Sequence, residues 1–567
     1  MRWLSWVAGV LALFVCLGSA FGAYELAGYS WDQVVSYKSP FADYERPWAD
    51  EPSLPTPAET EQTLYLPPET TREASETARR VVLVICDGLT LDASTKMTGL
   101  NTLRQYGANT VATTPQPSLS YPTWTTILSG APPNVSGVPT NWFDAAVPVE
   151  TLIDVAWRDG RRLVVAAPDD FKTLYSADRA GASFFDKWTD KYMSATYVDR
   201  ALELAESYQP ELLVIHLPDA DESAHAYGAA SEQYAATTKR MDADLSRLIS
   251  GLQDDRTVFV ITADHGHVAA GGHGGWESEV TRVPAIFAGP GTILGQGDIA
   301  QVDIAPTVAS LLGMRIPQQS VGRVRDDIIA DSEGMVATGE REYLAFARVY
   351  ASRMGQSASL GKAQHYDEVD AALSKIDDAR LVKDRETRLP MALAGAGAAL
   401  LALVLLFAAS WRAGVAAMTG TVAYYAIYNG LYFLVHGYLW SLSAFNTEEY
   451  VQSFFYMRMA EAALAALIAC VVAAAVYPML RARPRTPHHG FLGGWLALGP
   501  ATTLAIVATL AIQVAWFFWA WGADVVWRLP DLKWGFKYDL DLTQITAVGA
   551  VALLAPVVTY LVGRYHP

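Results

Sequence analysis

The sequence predicts an α/β domain, a mainly parallel sheet sandwiched by helices, joined to an α-helical transmembrane bundle. Three observations predict it. From about residue 79 to 388, charged and apolar residues are mixed, and short apolar runs alternate with helix-compatible stretches. Strand and helix in turn imply a parallel sheet covered on both faces. After Leu389 the chain is largely apolar, broken by short polar loops. The Asp and His residues with ligand chemistry directly follow the apolar runs of the first part, and ligands gather at the carboxyl ends of parallel strands.

Residues 1–25 read as a signal anchor or signal peptide. An apolar run over 3–22 follows Arg2, and Ser19, Ala20, Gly22 and Ala23 permit cleavage. The run is also long enough to be retained as a span. Cys16 follows Val15, a poor match to a lipoprotein cleavage site. Residues 26–78, rich in Pro, Glu and Thr, read as an extended stalk or a segment wrapped on the next domain.

Residues 79–335 read as the catalytic domain. VVLVIC, LVVAA, LLVIHL and VFVIT are short buried strands, with helices expected over 94–106, 197–207 and 231–252. Residues 336–388 read as a polar, helical juxtamembrane linker.

Residues 389–567 hold five apolar runs, near 391–410, 414–438, 462–480, 491–520 and 543–563, each long enough to cross a bilayer. Arg481, Arg483 and Arg485 in the loop RARPRTPHH favour a cytoplasmic position. Counting from there puts Arg412, Arg564 and the C-terminus inside and the catalytic domain outside the cell membrane; Arg2 agrees. Arg380, Lys383, Arg385 and Arg388 would lie outside, against the rule.

The net charge of −17 argues against nucleic-acid binding, which clustered Lys and Arg usually drive. Of Cys16, Cys86 and Cys470, only Cys86 lies outside apolar spans, so no disulfide framework forms in the soluble part.

Four segments carry the chemistry. They are VVLVICDGLT with Asp87, PSLSYPTWTTILSGAPP with Ser120, HLPDADESAHAYG with Asp221 and His225, and ITADHGHVAAGGHGG with Asp264, His265 and His273. Singly, each has an ordinary reading as a turn, a helix cap or a loop residue. Together they offer enough Asp and His ligands for two divalent ions, zinc foremost, with no cysteine. Glycines at 271, 272, 274 and 275 let the backbone bring His273 into a shared site. Ser120 precedes Tyr121-Pro122 and a helical run, so it would sit at the positive end of a helix dipole, where phosphate binds. His267, His216, Asp219, Glu222, Trp276 and Glu277 read as loop, structural or supporting residues.

The four segments resemble the alkaline phosphatase superfamily, in its branch of type I phosphodiesterases and nucleotide pyrophosphatases, over about residues 79–325. By that resemblance Asp87, Ser120, Asp264 and His265 hold one zinc, and Asp221, His225 and His273 the other. Ser120 aligns with the family nucleophile. Thr123 falls where nucleotide pyrophosphatases carry an Asn that contacts the phosphoryl group, a departure that counts against nucleotide substrates. DHGHVAAGGHGG and QVDIAPTVASLLGMRIP are similar to ethanolamine phosphate transferases of glycolipid anchor synthesis, which also join an anchor, an exported domain and a helix bundle. The resemblance implies a membrane-bound two-metal phosphodiesterase acting at the outer face on a phosphate ester, lipid-linked among the options, through a phosphoseryl intermediate. Its alternatives are head-group transfer to a lipid or glycan, and an inactive domain in a membrane assembly.

Overall fold

The structure, a computed structural model, describes residues 2–46, 79–179, 181–187, 191–330, 333–444, 451–480 and 491–565. The chain forms two compact units. One is Tyr37–Ala379 with Val526–Leu529; the other is Met1–Ser36, Arg380–Val525 and Pro530–Pro567.

The first unit is built on one eight-stranded sheet. Its strands are β1 (Arg80–Cys86), β2 (Gly107–Thr113), β3 (Leu163–Pro168), β4 (Ala182–Asp186), β5 (Leu212–Leu217), β6 (Thr257–Thr262), β7 (Arg282–Ala288) and β8 (Gly295–Ala300). Their order is β4-β3-β5-β1-β6-β7-β2-β8. Every pairing is parallel except those of β7, which is antiparallel to β6 and β2. The four apolar runs of the sequence are β1, β3, β5 and β6. Their residues are buried throughout, which continuous apolar runs require of central parallel strands.

The helix expected over 94–106 is three pieces: Leu91–Lys96, Thr98–Leu103 and the 3-10 turn Arg104–Tyr106. The reason is Asp242. Its carboxylate accepts from Gly99 N, Leu100 N and Thr98 Oγ1, capping a new helix start there.

Two boundaries differ from the sequence reading. The linker assigned to 336–388 is helix Glu333–Arg353 and the first part of helix Tyr366–Ala409. Tyr343, Phe346, Ala347, Tyr350, Val369 and Ile376 are buried in the same core as the sheet. On each of the two helices the helical spacing puts them on one apolar face. The stalk assigned from residue 26 is helical to Val35, and residues 37–46 pack on the first unit. Phe41 stacks on Tyr350 at 4.6 Å, and Arg46 is buried with Nε 3.0 Å from Asp154 Oδ1. Residues 47–78 lie outside the described residues.

The second unit is helical: Arg2–Val35, the remainder of Tyr366–Ala409, Trp411–Asn429, Val451–Met479, Phe491–Trp521, Leu532–Val551 and Ala555–Tyr565. Among the described residues four helices are long and apolar enough to cross a membrane. The pair Leu532–Val551 and Ala555–Gly563, bent by 58°, makes a fifth if taken as one broken span. The run expected over 414–438 is not one of these: its α-helix ends at Asn429 and continues as a π-helix over Gly430–Val435. Small residues bring helices together. A Cβ on Gly420 would lie 2.7 Å from Ala469 O, and Ala462, Ala465, Ala466 and Ala469 are fully buried. Arg481, Arg483 and Arg485 lie outside the described residues.

The buried Arg46–Asp154 pair predicts a test of how residues 37–46 are held. Arg46→Ala leaves a buried carboxylate without its charge partner and is expected to destabilise the first unit by about 3–5 kcal/mol. Lys96→Ala, which breaks an exposed pair with Asp92, is expected to cost under about 0.5 kcal/mol. Chemical denaturation of the full chain checks both; equal effects would show that the segment is not anchored by the ion pair.

Candidate metal centre

Neighbouring strands β5, β1 and β6 each lead to an aspartate at the same end of the sheet. Asp87 directly follows β1, Asp264 lies two residues after β6, and Asp221 lies in the first turn of helix Asp219–Tyr227, which follows β5 and also carries His225. Asp87 and Asp264 are fully buried and Asp221 is 6% exposed. The ligand atoms of Asp87, Asp264 and His265 lie within 4.8 Å of one another, as do those of Asp221, His265 and His273. His225 joins the second group, with Nε2 3.3 Å from Asp221 Oδ2 and 3.2 Å from His273 Nε2. Ser120 Oγ lies 3.4 Å from His265 Nε2. The seven sequence-predicted ligands are therefore brought together, with His265 between the two groups.

The loops reach this edge because glycine lets them. Gly88 has φ +65°, and a Cβ there would lie 2.6 Å from both Asp221 Cα and His267 Nε2. Gly271 has φ +103°, and its Cβ would meet Ala224 O at 2.1 Å. The His273 loop is pinned to the serine loop. Ser118 N donates to Gly274 O at 3.3 Å, Ser118 Oγ donates to Gly275 O at 3.2 Å, and His273 Nδ1 lies 3.1 Å from Ser118 O.

A ring N–H backs each carboxylate. Asp87 Oδ2 lies 3.0 Å from His216 Nε2, Asp264 Oδ2 accepts from Trp124 Nε1 at 2.8 Å, and Asp221 Oδ1 lies 2.9 Å from His267 Nε2. Asp264 Oδ1 also accepts from Gly88 N and His265 N. Asp87 Oδ1 is buried and has no hydrogen-bond donor among the described residues. Burial, with the charges of Asp264 and Asp221, pushes the Asp87 carboxyl well above its usual range, and burial and Asp221 push Asp264 up to about 7. Burial would raise Asp221 too, but His225 and His267 outweigh it and hold it well below. Burial holds His265 down at about 3, and His273 well below its ordinary value, so both rings are neutral ligands. Clustered carboxylates, neutral imidazoles and an orphaned carboxylate oxygen suit divalent cations.

The structure corrects three sequence readings. His267 is not a solvated loop residue: it is 2% exposed, and Nδ1 lies 2.6 Å from Gly271 O. The ring is fixed between that backbone carbonyl and the Asp221 carboxylate. Thr123 does not turn its hydroxyl toward that of Ser120. It is fully buried, and its hydroxyl donates to Leu119 O at 2.6 Å and Ser120 O at 3.2 Å. The group beside Ser120 is Asn141. Its Oδ1 accepts from Tyr121 N at 2.9 Å, which leaves Nδ2 3.5 Å from Ser120 Oγ. Asp219 is neither solvent-facing nor behind a ligand: it accepts from Met193 N and Ser194 N, capping helix Ser194–Tyr208.

Trp124, Asn141, His216 and Gln301 were not predicted as site residues. Trp124 is one helical turn after Ser120, the available signal for a shared face. Gln301 Nε2 donates to Asp264 O at 2.8 Å, which gives the QVDIAPT segment a role in holding the DHG loop.

Residues 81–356 match the family described as type I phosphodiesterase / nucleotide pyrophosphatase. The chain is similar to the human GPI ethanolamine phosphate transferase 3 catalytic subunit, 26% identical over 217 residues, covering 36% of this chain and 20% of that one. It is also similar to GPI ethanolamine phosphate transferase 1 of Mus musculus, 25% identical over 301 residues, covering 43% and 32%. The chain thus spans a fifth to a third of the length of these curated relatives. Among solved structures, alkaline phosphatase PafA aligns with TM-score 0.40 at 13% identity, over 46% of this chain and all of that one. Murine ectonucleotide pyrophosphatase / phosphodiesterase 5 aligns with TM-score 0.37 at 13% identity, over 42% and 96%.

Two predictions follow from the carboxylate arrangement. Raised carboxyl pKa values mean that, without metal, the folded domain holds protons that the unfolded chain has released. Between pH 6.5 and 8 the metal-free protein loses stability as pH rises through about 7 for Asp264, while bound cations replace those protons. The gap in thermal midpoint between metal-loaded and chelated protein is expected to widen over that interval; a flat gap would contradict it. His267→Phe is expected to weaken metal binding by about 10–100-fold, read by chelator competition, with His267→Gln retaining part. Unchanged affinity in His267→Phe would show that the ring does not position Asp221.

Proposed function

We propose that the chain is a membrane-bound phosphoesterase that breaks phosphodiesters through Ser120 with two divalent metal ions, zinc foremost. The observation that carries this reading is the position of the Ser120 hydroxyl. It lies at the first residue of helix Ser120–Ser129, beside His265 and Asn141, at the junction of the two ligand groups. Asp87, Asp264, His265 and Ser120 would hold one ion and Asp221, His225 and His273 the other. When bound, the ions supply Lewis acidity that favours a serine alkoxide and screens charge at phosphorus.

Ser120 Oγ attacks phosphorus, the bond to the leaving oxygen breaks, and the leaving alcohol departs, giving a phosphoseryl intermediate. The helix dipole favours the anionic phosphoryl group at this end. Asn141 Nδ2, oriented through Tyr121 N, donates to a phosphoryl oxygen. Attack by water from the opposite side then breaks the P–Oγ bond and regenerates Ser120.

Head-group transfer is a second reading of the same site, favoured by the relatives named as ethanolamine phosphate transferases. In it a lipid or glycan hydroxyl takes the place of water. An inactive domain is disfavoured because the ligand set is whole and assembled. The basic loop residues Arg481, Arg483 and Arg485 support a catalytic domain outside the cytoplasm and a cytoplasmic C-terminus.

Ser120→Ala is expected to abolish turnover of a phosphodiester while metal content and fold persist, and Ser120→Thr to retain measurable turnover. Asn141→Ala is expected to lower kcat by about 10²–10³-fold with little change in metal content. Near wild-type turnover in Ser120→Ala would exclude the serine route. Adding a hydroxyl acceptor and measuring how the phosphoryl product partitions separates transfer from hydrolysis.

A further inference from the structure

We propose that the helical unit binds the phosphate of a membrane phospholipid at Arg458. The inference rests on those helices lying in a membrane and is independent of the catalysis proposed above.

Arg458 is two turns into helix Val451–Met479 and is 3% exposed. Its Nη2 lies 2.9 Å from Glu461 Oε1, and the same oxygen lies 2.8 Å from His436 Nε2. The guanidinium carbon sits 5.2 Å from the Tyr438 ring centre and 5.3 Å from that of Phe454. That leaves much of its hydrogen-bonding capacity unused. Arg458 Nε and Nη1 are buried and have no acceptor among the described residues, and the buried Tyr428 hydroxyl has no partner either. A guanidinium carries five N–H donors. Leaving charged donors unmet in an apolar bundle is costly, and such residues mark functional sites. Spare N–H groups on Nε and Nη1, on two sides of the charged plane, suit the anionic oxygens of a phosphate diester.

Three further observations point to a lipid as the source of that phosphate. The first is depth. A helix of 29 residues is about 44 Å long, against about 30 Å of hydrocarbon. Arg458, about 10 Å from its start, therefore lies near the level of the lipid phosphates. The second is the flanking surface. Leu434 and Val435, just before His436, are 86% and 69% exposed; Tyr456 and Met457, just before Arg458, are 65% and 58% exposed. Acyl chains can lie along these residues while the phosphate reaches inward. The third is local backbone. Gly430–Val435 is a π-helix, in which His436 N donates to Leu431 O at 3.0 Å. Such insertions recur at functional sites, and this one ends at the Glu461 ligand His436.

The test uses the purified, delipidated full chain in detergent. Binding of dioleoylphosphatidylcholine is measured by native mass spectrometry for wild type, Arg458→Gln and Arg458→Lys, with dioleoylglycerol and inorganic phosphate as comparisons. Metal content and helix content report folding. Arg458→Gln is expected to weaken phospholipid binding about tenfold or more, with Arg458→Lys falling between. Dioleoylglycerol is expected to bind weakly and equally to all three. Phospholipid affinity in folded Arg458→Gln within twofold of wild type overturns the proposal, as does equal binding of dioleoylglycerol. Displacement of bound phospholipid by millimolar inorganic phosphate also overturns the lipid as occupant. If Arg458→Gln does not fold, Arg458→Lys and Tyr428→Phe carry the same comparison: a drop in affinity for phospholipid alone supports the site, and no drop in either overturns it.

Discussion

Three carboxylates must be held together out of water at one edge of the sheet. Asp87, Asp221 and Asp264 come from strands that are immediate neighbours, β5, β1 and β6. Neighbouring strands are about 4.8 Å apart, so groups just past their ends start close together, and Gly88 and Gly271 let the following segments close in. The same spacing is a burden. Two unit charges about 4.8 Å apart repel by about 3.5 kcal/mol even at an effective dielectric of 20. The domain meets this in two ways. Ring N–H groups of His216, Trp124 and His267 each take one carboxylate oxygen, and backbone N–H groups of Gly88 and His265 take the other oxygen of Asp264. These contacts hold each carboxylate in one orientation.

The serine and its helix depend on that arrangement. Trp124 both holds Asp264 and lies in the same helix as Ser120, one turn on. The hydroxyl is therefore indexed to the ligand group through a rigid element rather than through a loop. The Ser118–Gly274 bridge does the same for His273 from the other side. A displacement of either segment would move the Ser120 hydroxyl and the Asp/His cluster together, which preserves their relation.

What could be read from the sequence follows from how local each signal is. Asp87, Ser120, Asp264 and His265 are legible because apolar runs and turn chemistry mark the strand ends beside them. Asn141 is not, because its position depends on a loop folding back 21 residues after Ser120 onto Tyr121 N. Thr123 looked equivalent by distance along the chain, but helical geometry turns its hydroxyl to the backbone of Leu119. His267 looked like a loop residue because glycines surround it, yet those glycines are what allow the loop to bury it. Strand β8, GQGDIA, has no apolar run, since an edge strand with exposed faces needs none. The helices at 333–353 and 366–379 read as a linker because their apolar residues are few; those few fall on one face and complete the core.

The bundle is more polar inside than anchoring needs. One apolar helix already holds a protein in a bilayer in effect irreversibly. Here Lys537 pairs with Asp541 and donates to Gln513 Oε1 at 3.0 Å, Gln513 Nε2 donates to the Tyr425 hydroxyl at 3.0 Å, and the Tyr424 hydroxyl donates to Gln544 Oε1 at 2.9 Å. These groups join three helices through their side chains. A chain under pressure only to stay in the membrane would lose such residues, because apolar packing serves as well at lower desolvation cost. Small residues bring the helices at 411–429 and 451–479 into close contact without such a network. This network, with the Arg458 group on the neighbouring helix Val451–Met479, fits a bundle that handles a polar ligand within an apolar surround.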